Sequence, residues 1–428
     1  VNPASRGLQL SAYGRRLVSG SGIVQLMDDL TEGLANPEVI MLGGGSPAQV
    51  PEVVQWARDA WKRLSDDAER LTDALCRYSP GRGDLAFRES LATALNERYE
   101  WNIGPENIAL TTGTQSAFSM LFNLFAGTMV DGSERRVVVP MAPEYIGYAD
   151  LGISGDIIQS SRPIVDQLDA HRFAYRVDPA AIDLSNAGLL CTSRPTNPSG
   201  NVLSEAECDF LADLCAQHSI PLVLDCAYGL PFPGVVFTDA QPRWAPGTIT
   251  CLSLSKVGLP GIRTGIVIAD AGVTQAMGAM TGIINLSPNS IGPALVTEAV
   301  RSGELFDLAE LITEFYAARR STAIDLVYST FDGYGIDWQM HDPLGAFFLW
   351  FRFPGIRGGD RELYRRLAAR GVVVVPGHHF MAGLPLEESG EQWSHSTQCI
   401  RVSYCAPPEQ IEAGVRAIAE EVRDLQAE

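Results

Sequence analysis

The chain predicts an α/β fold in which a mostly parallel sheet flanked by helices is joined to a smaller α+β domain. Three observations carry this. Short apolar runs alternate with longer helical patterns from roughly residue 105 to 300, each run stops at Gly, Pro, Ser or Asp, and the tail has a mixed texture of short strands and helices. With 428 residues, 46% of them hydrophobic and 19% charged, the chain can bury a sizeable core and suits two domains.

Ile108 to Thr111, Val137 to Val139, Leu189 to Thr192, Leu222 to Leu224, Thr248 to Leu252 and Ile266 to Ala269 are continuous apolar runs of strand length and predict buried strands. Ala117 to Phe125, after the first run, predicts an apolar helix. Ser204 to Ser219 predicts another: Ser204 and Glu207 stand in capping-box spacing, and Phe210, Leu211, Leu214 and Cys215 share one face. A long helical pattern, roughly Leu305 to Tyr328, joins the two domains. In the tail, Phe347 to Phe353 and Val372 to Val375 predict strands and Arg361 to Arg370 a helix. The segment from Pro408 to the end predicts a helix with Ile411, Val415, Ile418, Val422 and Leu425 on one stripe.

Charge and cysteine usage exclude several functions. The balance of 32 basic against 51 acidic residues, net −19, opposes binding to nucleic acid or anionic membranes, so any cationic site is local. The eight cysteines lie mostly in apolar runs without CxxC or Cys/His ligand spacing, which predicts buried thiols in a reducing cytoplasm and no metal site. No apolar run approaches the roughly 20 residues that span a bilayer, and Val1 to Leu10 has no basic stretch followed by an apolar one. The chain is therefore expected to be neither exported nor inserted.

Four motifs stand at the ends of expected strands, where open α/β sheets bind ligands. Thr111-Thr112-Gly113-Thr114-Gln115-Ser116 closes a strand and opens a helix, so its N–H groups and the positive end of the helix dipole form an anion cradle; a plain helix start fits as well. In Ser193-Arg194-Pro195-Thr196-Asn197-Pro198-Ser199-Gly200-Asn201, two prolines and a glycine fix a turn that can aim the Asn197 amide at a ligand, although an ordinary loop has the same composition. Asp225 ends a buried apolar strand, a costly place for a carboxylate without a partner, and a helix N-cap would also explain it.

The fourth motif is Ser253-Leu254-Ser255-Lys256-Val257-Gly258-Leu259-Pro260-Gly261-Ile262-Arg263. A lone amine among hydroxyls, glycines and a guanidinium suits an aldehyde cofactor with a phosphate tail, pyridoxal 5'-phosphate; taken alone, a strand end with a snorkelling lysine fits too. With that cofactor Asp225 gains a partner in the ring N–H, and Tyr228, three residues on, can reach the ring's phenolic oxygen. The order of cradle, amide, acid, lysine and arginine is hard to obtain by coincidence.

With these motifs the chain resembles the fold-type I pyridoxal-phosphate-dependent aminotransferases of class I and II, and within them the valine-pyruvate aminotransferases. The runs that carry the likeness are Met41-Leu-Gly-Gly-Gly-Ser-Pro-Ala-Gln, Ala142-Pro-Glu-Tyr-Ile-Gly-Tyr-Ala-Asp, the Ser193 to Asn201 turn, Ala227-Tyr-Gly-Leu-Pro-Phe-Pro-Gly and Ser253-Leu-Ser-Lys-Val-Gly-Leu-Pro-Gly. They span nearly the whole chain.

The resemblance implies that Lys256 carries the cofactor covalently, that Asp225 pairs with its pyridine nitrogen, and that Asn197 and Tyr228 hold its phenolic oxygen. Gly113, Thr114, Gln115, Ser253 or Ser255, and Arg263 would bind the phosphate, and Tyr145 would stack on the ring. Tyr78 resembles the tyrosine that reaches the phosphate of the neighbouring subunit, which makes the active unit a homodimer. Arg401 matches the arginine that grips the substrate α-carboxylate, with Gly45 and Asn197 at the same end of the site. By local pattern alone, Tyr145 is a core aromatic, Tyr78 a turn tyrosine and Arg401 an exposed strand residue. The implied division is an N-terminal arm contributing to the small domain (1–50), a large cofactor-binding domain (51–300) and a small C-terminal domain (301–428). One departure stands out: many relatives place two residues between the lysine and its first glycine, whereas only Val257 intervenes here, a shorter form shared with the valine-pyruvate subgroup.

The implied activity is amino transfer between valine or alanine and a 2-oxo acid, pyruvate or 3-methyl-2-oxobutanoate, by ping-pong turnover through pyridoxamine phosphate. For side-chain choice the candidates are Gly43 to Gly45, Tyr13 and the His378-His379-Phe380 turn, which is also explained as a polar turn. Different amino-acid specificity, a fold-type I lyase or decarboxylase using the same lysine, and a non-enzymatic cofactor-binding sensor are the rivals.

Overall fold

Apolar runs too short for helices pair into an eight-stranded sheet in the computed structural model, which describes residues 9–18, 22–36, 38–385 and 393–428. Across the sheet lie Ile108–Thr111, Gly265–Ile268, Thr248–Ser253, Leu222–Asp225, Ala187–Ser193, Glu134–Val139 and Gly127–Thr128, with Ile158–Ser160 also paired to Glu134–Val139. From Thr248–Ser253 through to Ile158–Ser160 the successive neighbours are parallel, and Gly265–Ile268 runs antiparallel to both of its neighbours. Helices cover the faces, so Ala187–Ser193, Leu222–Asp225 and Thr248–Ser253 are buried along their whole length. The register sets Ser193 beside Asp225 and Asp225 beside Cys251, which brings three of the four motifs to one edge of the sheet.

Helix boundaries follow local chemistry. Glu205–Gln217 starts at Ser204, whose hydroxyl accepts from the Glu207 N–H while the Glu207 carboxylate accepts from the Ser204 N–H, and it buries Cys208, Leu211 and Cys215. Thr114–Phe125 begins one turn earlier than its apolar residues indicate, directly after Gly113. The long connecting helix runs Glu304–Tyr334, past the expected end, until Gly335 in the left-handed region stops it.

A second sheet has the order Val375–Pro376, Cys399–Ser403, Phe348–Arg352, Gln339–His341, Arg172–Arg176 and Ile164–Gln167. The last two strands form a hairpin from the middle of the chain, which pairs Arg172–Arg176 in parallel with Gln339–His341. The single strand expected over Val372 to Val375 divides: Val372–Val373 pairs with Ile40–Met41, and Val375–Pro376 joins the six-stranded sheet. The terminal helix Pro408–Ala427 buries Ile411, Val415, Ile418, Val422 and Leu425 as its stripe requires. Among the described residues, no helix is long and apolar enough to cross a membrane.

The Thr114–Phe125 helix packs so closely on the sheet that a Cβ on Gly188 would collide with the Phe125 carbonyl oxygen, a backbone atom that cannot swing away. Gly188→Ala is expected to destabilise the protein by about 1–3 kcal/mol through overpacking; a lowered thermal denaturation midpoint measures it.

Candidate active site

The strand ends open into a cavity of about 560 Å³. Its lining includes Gly45, Thr114, Gln115, Tyr145, Asn197, Asp225, Tyr228, Ser253, Ser255, Lys256, Arg263 and Arg401. The fold thus brings together residues up to several hundred positions apart that sequence patterns single out. Gly113 stands just behind this lining, whereas Tyr78 lies elsewhere, 80% exposed beside a separate surface recess. Tyr13 is exposed and does not line the cavity.

Asp225 forms one wall. No helix follows it, so it is not an N-cap; its Oδ1 accepts from the Ala227 N–H at 2.9 Å and its Oδ2 from the Tyr148 hydroxyl at 2.7 Å. Burial raises its pKa to about 6, against the opposing effects of those two bonds and of the Lys256 charge. Lys256 lies across the cavity, with Nζ donating to the Gly45 carbonyl at 2.6 Å and standing 5.1 Å from the centre of the Tyr228 ring. Burial, aided by the Arg401 and Arg263 charges, lowers the amine to about 8 although Asp225 pulls it upward.

At one end, Arg263 stands in the left-handed region at φ 44°, uncommon without a glycine, and its Nη1 donates to the Ser255 hydroxyl at 3.3 Å. Gly113, at φ 80°, starts the Thr114–Phe125 helix without a side-chain cap. A Cβ there would collide with the Arg263 guanidinium, so glycine keeps the helix start open to that charge. Helix N–H groups, a guanidinium and the Ser253 and Ser255 hydroxyls could hold a phosphate here.

At the other end, Arg401 is buried in the Cys399–Ser403 strand, sandwiched by the Phe348 and Phe380 rings at 4.2 and 5.3 Å. Its Nη1 donates to Asn197 Oδ1 at 2.7 Å and its Nη2 to the Gly43 carbonyl at 2.6 Å, while its buried Nε has no partner among the described residues. Burial lowers its pKa to about 10, which still leaves it a cation at neutral pH. The other turn named from sequence serves this arginine: Phe380 covers it, while the His378 N–H and ring bind Asp360 at 2.8 Å.

Pyridoxal phosphate needs an amine of depressed pKa, an acid facing its ring nitrogen, an anion cradle and a flat aromatic neighbour. Lys256, Asp225, the Gly113–Arg263 corner and Tyr145 could meet these needs in one cavity. Among the described residues, no group of three His, Cys, Asp or Glu side chains could hold a metal ion.

Sequence reasoning missed three parts of the site. Tyr148 holds Asp225, and its i,i+3 spacing from Tyr145 across the Ile146–Tyr148 turn was the available signal. Glu144 is a second buried carboxylate, raised to about 7 chiefly by burial. Ile23, Leu26 and Met27 of the Gly22–Ala35 helix form an apolar wall, and nothing local ties that helix to a cavity built from strands some hundreds of residues later.

The chain is similar to known proteins along nearly its whole length. The family profile "Aminotransferase class I and II" matches residues 38–418. The valine-pyruvate aminotransferase of Escherichia coli strain K12 is 44% identical over 98% of this chain and 100% of its own length. The crystal structure of valine-pyruvate aminotransferase from Salmonella typhimurium LT2 superposes with a TM-score of 0.85 at 41% identity, covering 95% of this chain and 100% of that one. A Psychrobacter arcticum 273-4 crystal structure gives a TM-score of 0.93 at 37% identity over 98% and 100% of the two chains.

Because Lys256 titrates near 8 rather than at the ordinary 10.5, the fraction of free amine in the apoprotein is expected to rise through that pH. The rate of pyridoxal phosphate uptake, followed by absorbance, should then climb with a midpoint near pH 8; a midpoint above 10 would show that burial does not neutralise the amine.

Proposed function

The chain belongs to the class I and II aminotransferases, a pyridoxal-phosphate-dependent family, and from this we propose that it transfers the amino group of valine or alanine to a 2-oxo acid, pyruvate or 3-methyl-2-oxobutanoate. The observation that carries the reading is the meeting of Lys256, Asp225 and Arg401 in one cavity. Bound there, the cofactor supplies an electron sink that acidifies the amino acid's α-carbon and a carbon that accepts its nitrogen.

The residues divide the remaining work. Asp225, held by Tyr148 and Ala227, presents its carboxylate to the ring nitrogen and keeps a proton there. Tyr145 offers its ring face, and Tyr228 and Asn197 offer polar groups for the phenolic oxygen. Thr114, Gln115, Ser253, Ser255 and Arg263, at the Gly113 helix start, anchor the phosphate. Lys256 anchors the cofactor between turnovers. When substrate displaces it, its amine, brought down to a pKa of about 8, takes the α-proton and returns it to the cofactor's side. Arg401, with Gly45 and Asn197 beside it, binds the α-carboxylate through the Nη hydrogens that Asn197 and Gly43 leave unused.

Aliphatic preference is supported by the lining. Its cations are Lys256, Arg263 and Arg401, each already assigned, while Ile23, Leu26 and Pro47 are apolar. Among this chain's described lining residues, none is left to pair with a side-chain carboxylate. A homodimer is part of the proposal, with Tyr78 reaching the partner's phosphate site. Its support is the exposure of large apolar side chains, Leu75, Tyr78, Ile283, Ile284 and Leu286 each being at least 59% exposed. The buried thiols support the cytoplasm as the compartment.

A panel of amino donors with pyruvate, read by alanine formation, is expected to show valine well ahead of aspartate and glutamate. Equal rates with the acidic donors would overturn the aliphatic reading. Lys256→Ala should lose alanine formation and the cofactor that borohydride fixes to the wild-type chain; retention of both would sink the assignment.

A further inference from the structure

Glu144 is a buried carboxylate that the proposed chemistry does not use. It lies just beyond the Glu134–Val139 strand, is 5% exposed, and accepts four hydrogen bonds. Oε1 receives the Ser193 N–H at 2.7 Å and the Thr192 hydroxyl at 3.1 Å; Oε2 receives the Ser193 hydroxyl at 2.5 Å and the Tyr145 N–H at 3.1 Å. Its own N–H donates to the Phe380 carbonyl at 3.0 Å, in the turn that covers Arg401. Two of the four partners are backbone N–H groups, which can only donate, one to each carboxyl oxygen, and two are hydroxyls.

A second acid here is an expensive thing to bury: burial above all, and then the Asp225 charge, disfavour its ionisation. Its bonds hold parts of the cleft in place. Tyr145 lines the cavity, and its ring packs so close to Gly147 that a Cβ there would collide with it. The Tyr145 ring meets the Tyr148 ring edge-on at 5.3 Å, and Tyr148 in turn holds Asp225. Ser193 also lines the cavity and is the register partner of Asp225.

We propose that Glu144 is a positioning residue of the cofactor cleft, a carboxyl group whose four hydrogen bonds fix the Tyr145 ring and the end of the Ala187–Ser193 strand against the Asp225 wall. The inference rests on the cofactor reading of this cavity and adds to it a residue that touches neither cofactor nor substrate. The amide of Glu144→Gln has the same shape but only one acceptor oxygen. Whichever way it turns, one backbone N–H, that of Tyr145 or of Ser193, faces an N–H group instead of an oxygen.

The test titrates apoprotein with pyridoxal phosphate and follows absorbance and visible circular dichroism, with steady-state kinetics on the holoenzyme. Glu144→Gln is expected to weaken cofactor binding about tenfold, the scale of one unsatisfied buried donor. It should also reduce the dichroism of the bound cofactor and lower kcat, with KM for the amino donor within about twofold. Val422→Ala, a buried truncation in the terminal helix and outside the cavity lining, controls for lost stability and is expected to move neither affinity nor dichroism. Wild-type affinity and dichroism in Glu144→Gln, or an equal loss in Val422→Ala, would overturn the inference. If Glu144→Gln does not fold, Ser193→Ala, which removes a single one of the four bonds, carries the same comparison with a smaller loss expected. Failure of the wild-type protein to take up the cofactor would instead overturn the reading of the cavity.

Discussion

Asp225 holds a charge where charge is disfavoured, and much of the site is arranged around that fact. Buried at the end of a parallel strand, its carboxylate would gain a proton near neutrality without help, since its pKa stands at about 6 even with two donated hydrogen bonds and a cation nearby. The Tyr148 hydroxyl, the Ala227 N–H and the Lys256 charge are what favour ionisation. In the proposed chemistry, a protonated ring nitrogen facing Asp225 would add a cationic hydrogen-bond partner to these.

The same low-polarity cavity acts on the other groups in opposite directions. Burial raises an acid and lowers a base, so Asp225 at about 6 and Lys256 at about 8 approach each other across neutrality. Arg401 at about 10 keeps its charge because a guanidinium starts higher. One environment thus provides an amine that can exchange protons and a guanidinium that stays a fixed carboxylate clamp. A chain with a net charge of −19 holds three cations in a single cavity by spacing them among acceptors, Gly45 and Gly43 carbonyls, Asn197 and the Ser255 hydroxyl.

The large sheet was legible in the sequence because its strands are buried on both faces and read as uninterrupted apolar runs. The motifs at their ends could be placed on one edge for the same reason, since parallel strands carry their carboxyl ends to one side. What stayed hidden depends on contacts distant in sequence. In the hairpin, Ile164–Gln167 alternates half-buried and exposed residues and Arg172–Arg176 half-buried and buried ones before the exposed Arg176, and its place shows only when Gln339–His341 pairs with it. Gly22–Ala35 carries an apolar stripe whose target, the cavity mouth, does not exist until the sheet has formed. Glu144 and Tyr148 sit in a run that resemblance flagged as a whole, yet their partners Ser193 and Asp225 become neighbours only through strand register.

Arg401 shows why the two sheets are held together at this cavity. Its strand belongs to the second sheet, Asn197 follows a strand of the first, and Gly43 follows the short N-terminal strand that pairs with Val372–Val373. One guanidinium therefore bridges three parts of the chain, and it is stacked between two rings of its own sheet region, so it cannot shift far without disturbing all three. A carboxylate arriving at this guanidinium would meet donors whose orientation is already set by those two bonds, which lowers the ordering cost of binding. Asn197 shares that geometry: its oxygen is committed to Arg401, which aims its amide N–H groups, so a ligand at either group reports on the position of the other. In the proposed reaction this ties the seat of the substrate carboxylate to the seat of the cofactor oxygen by a single hydrogen bond of 2.7 Å.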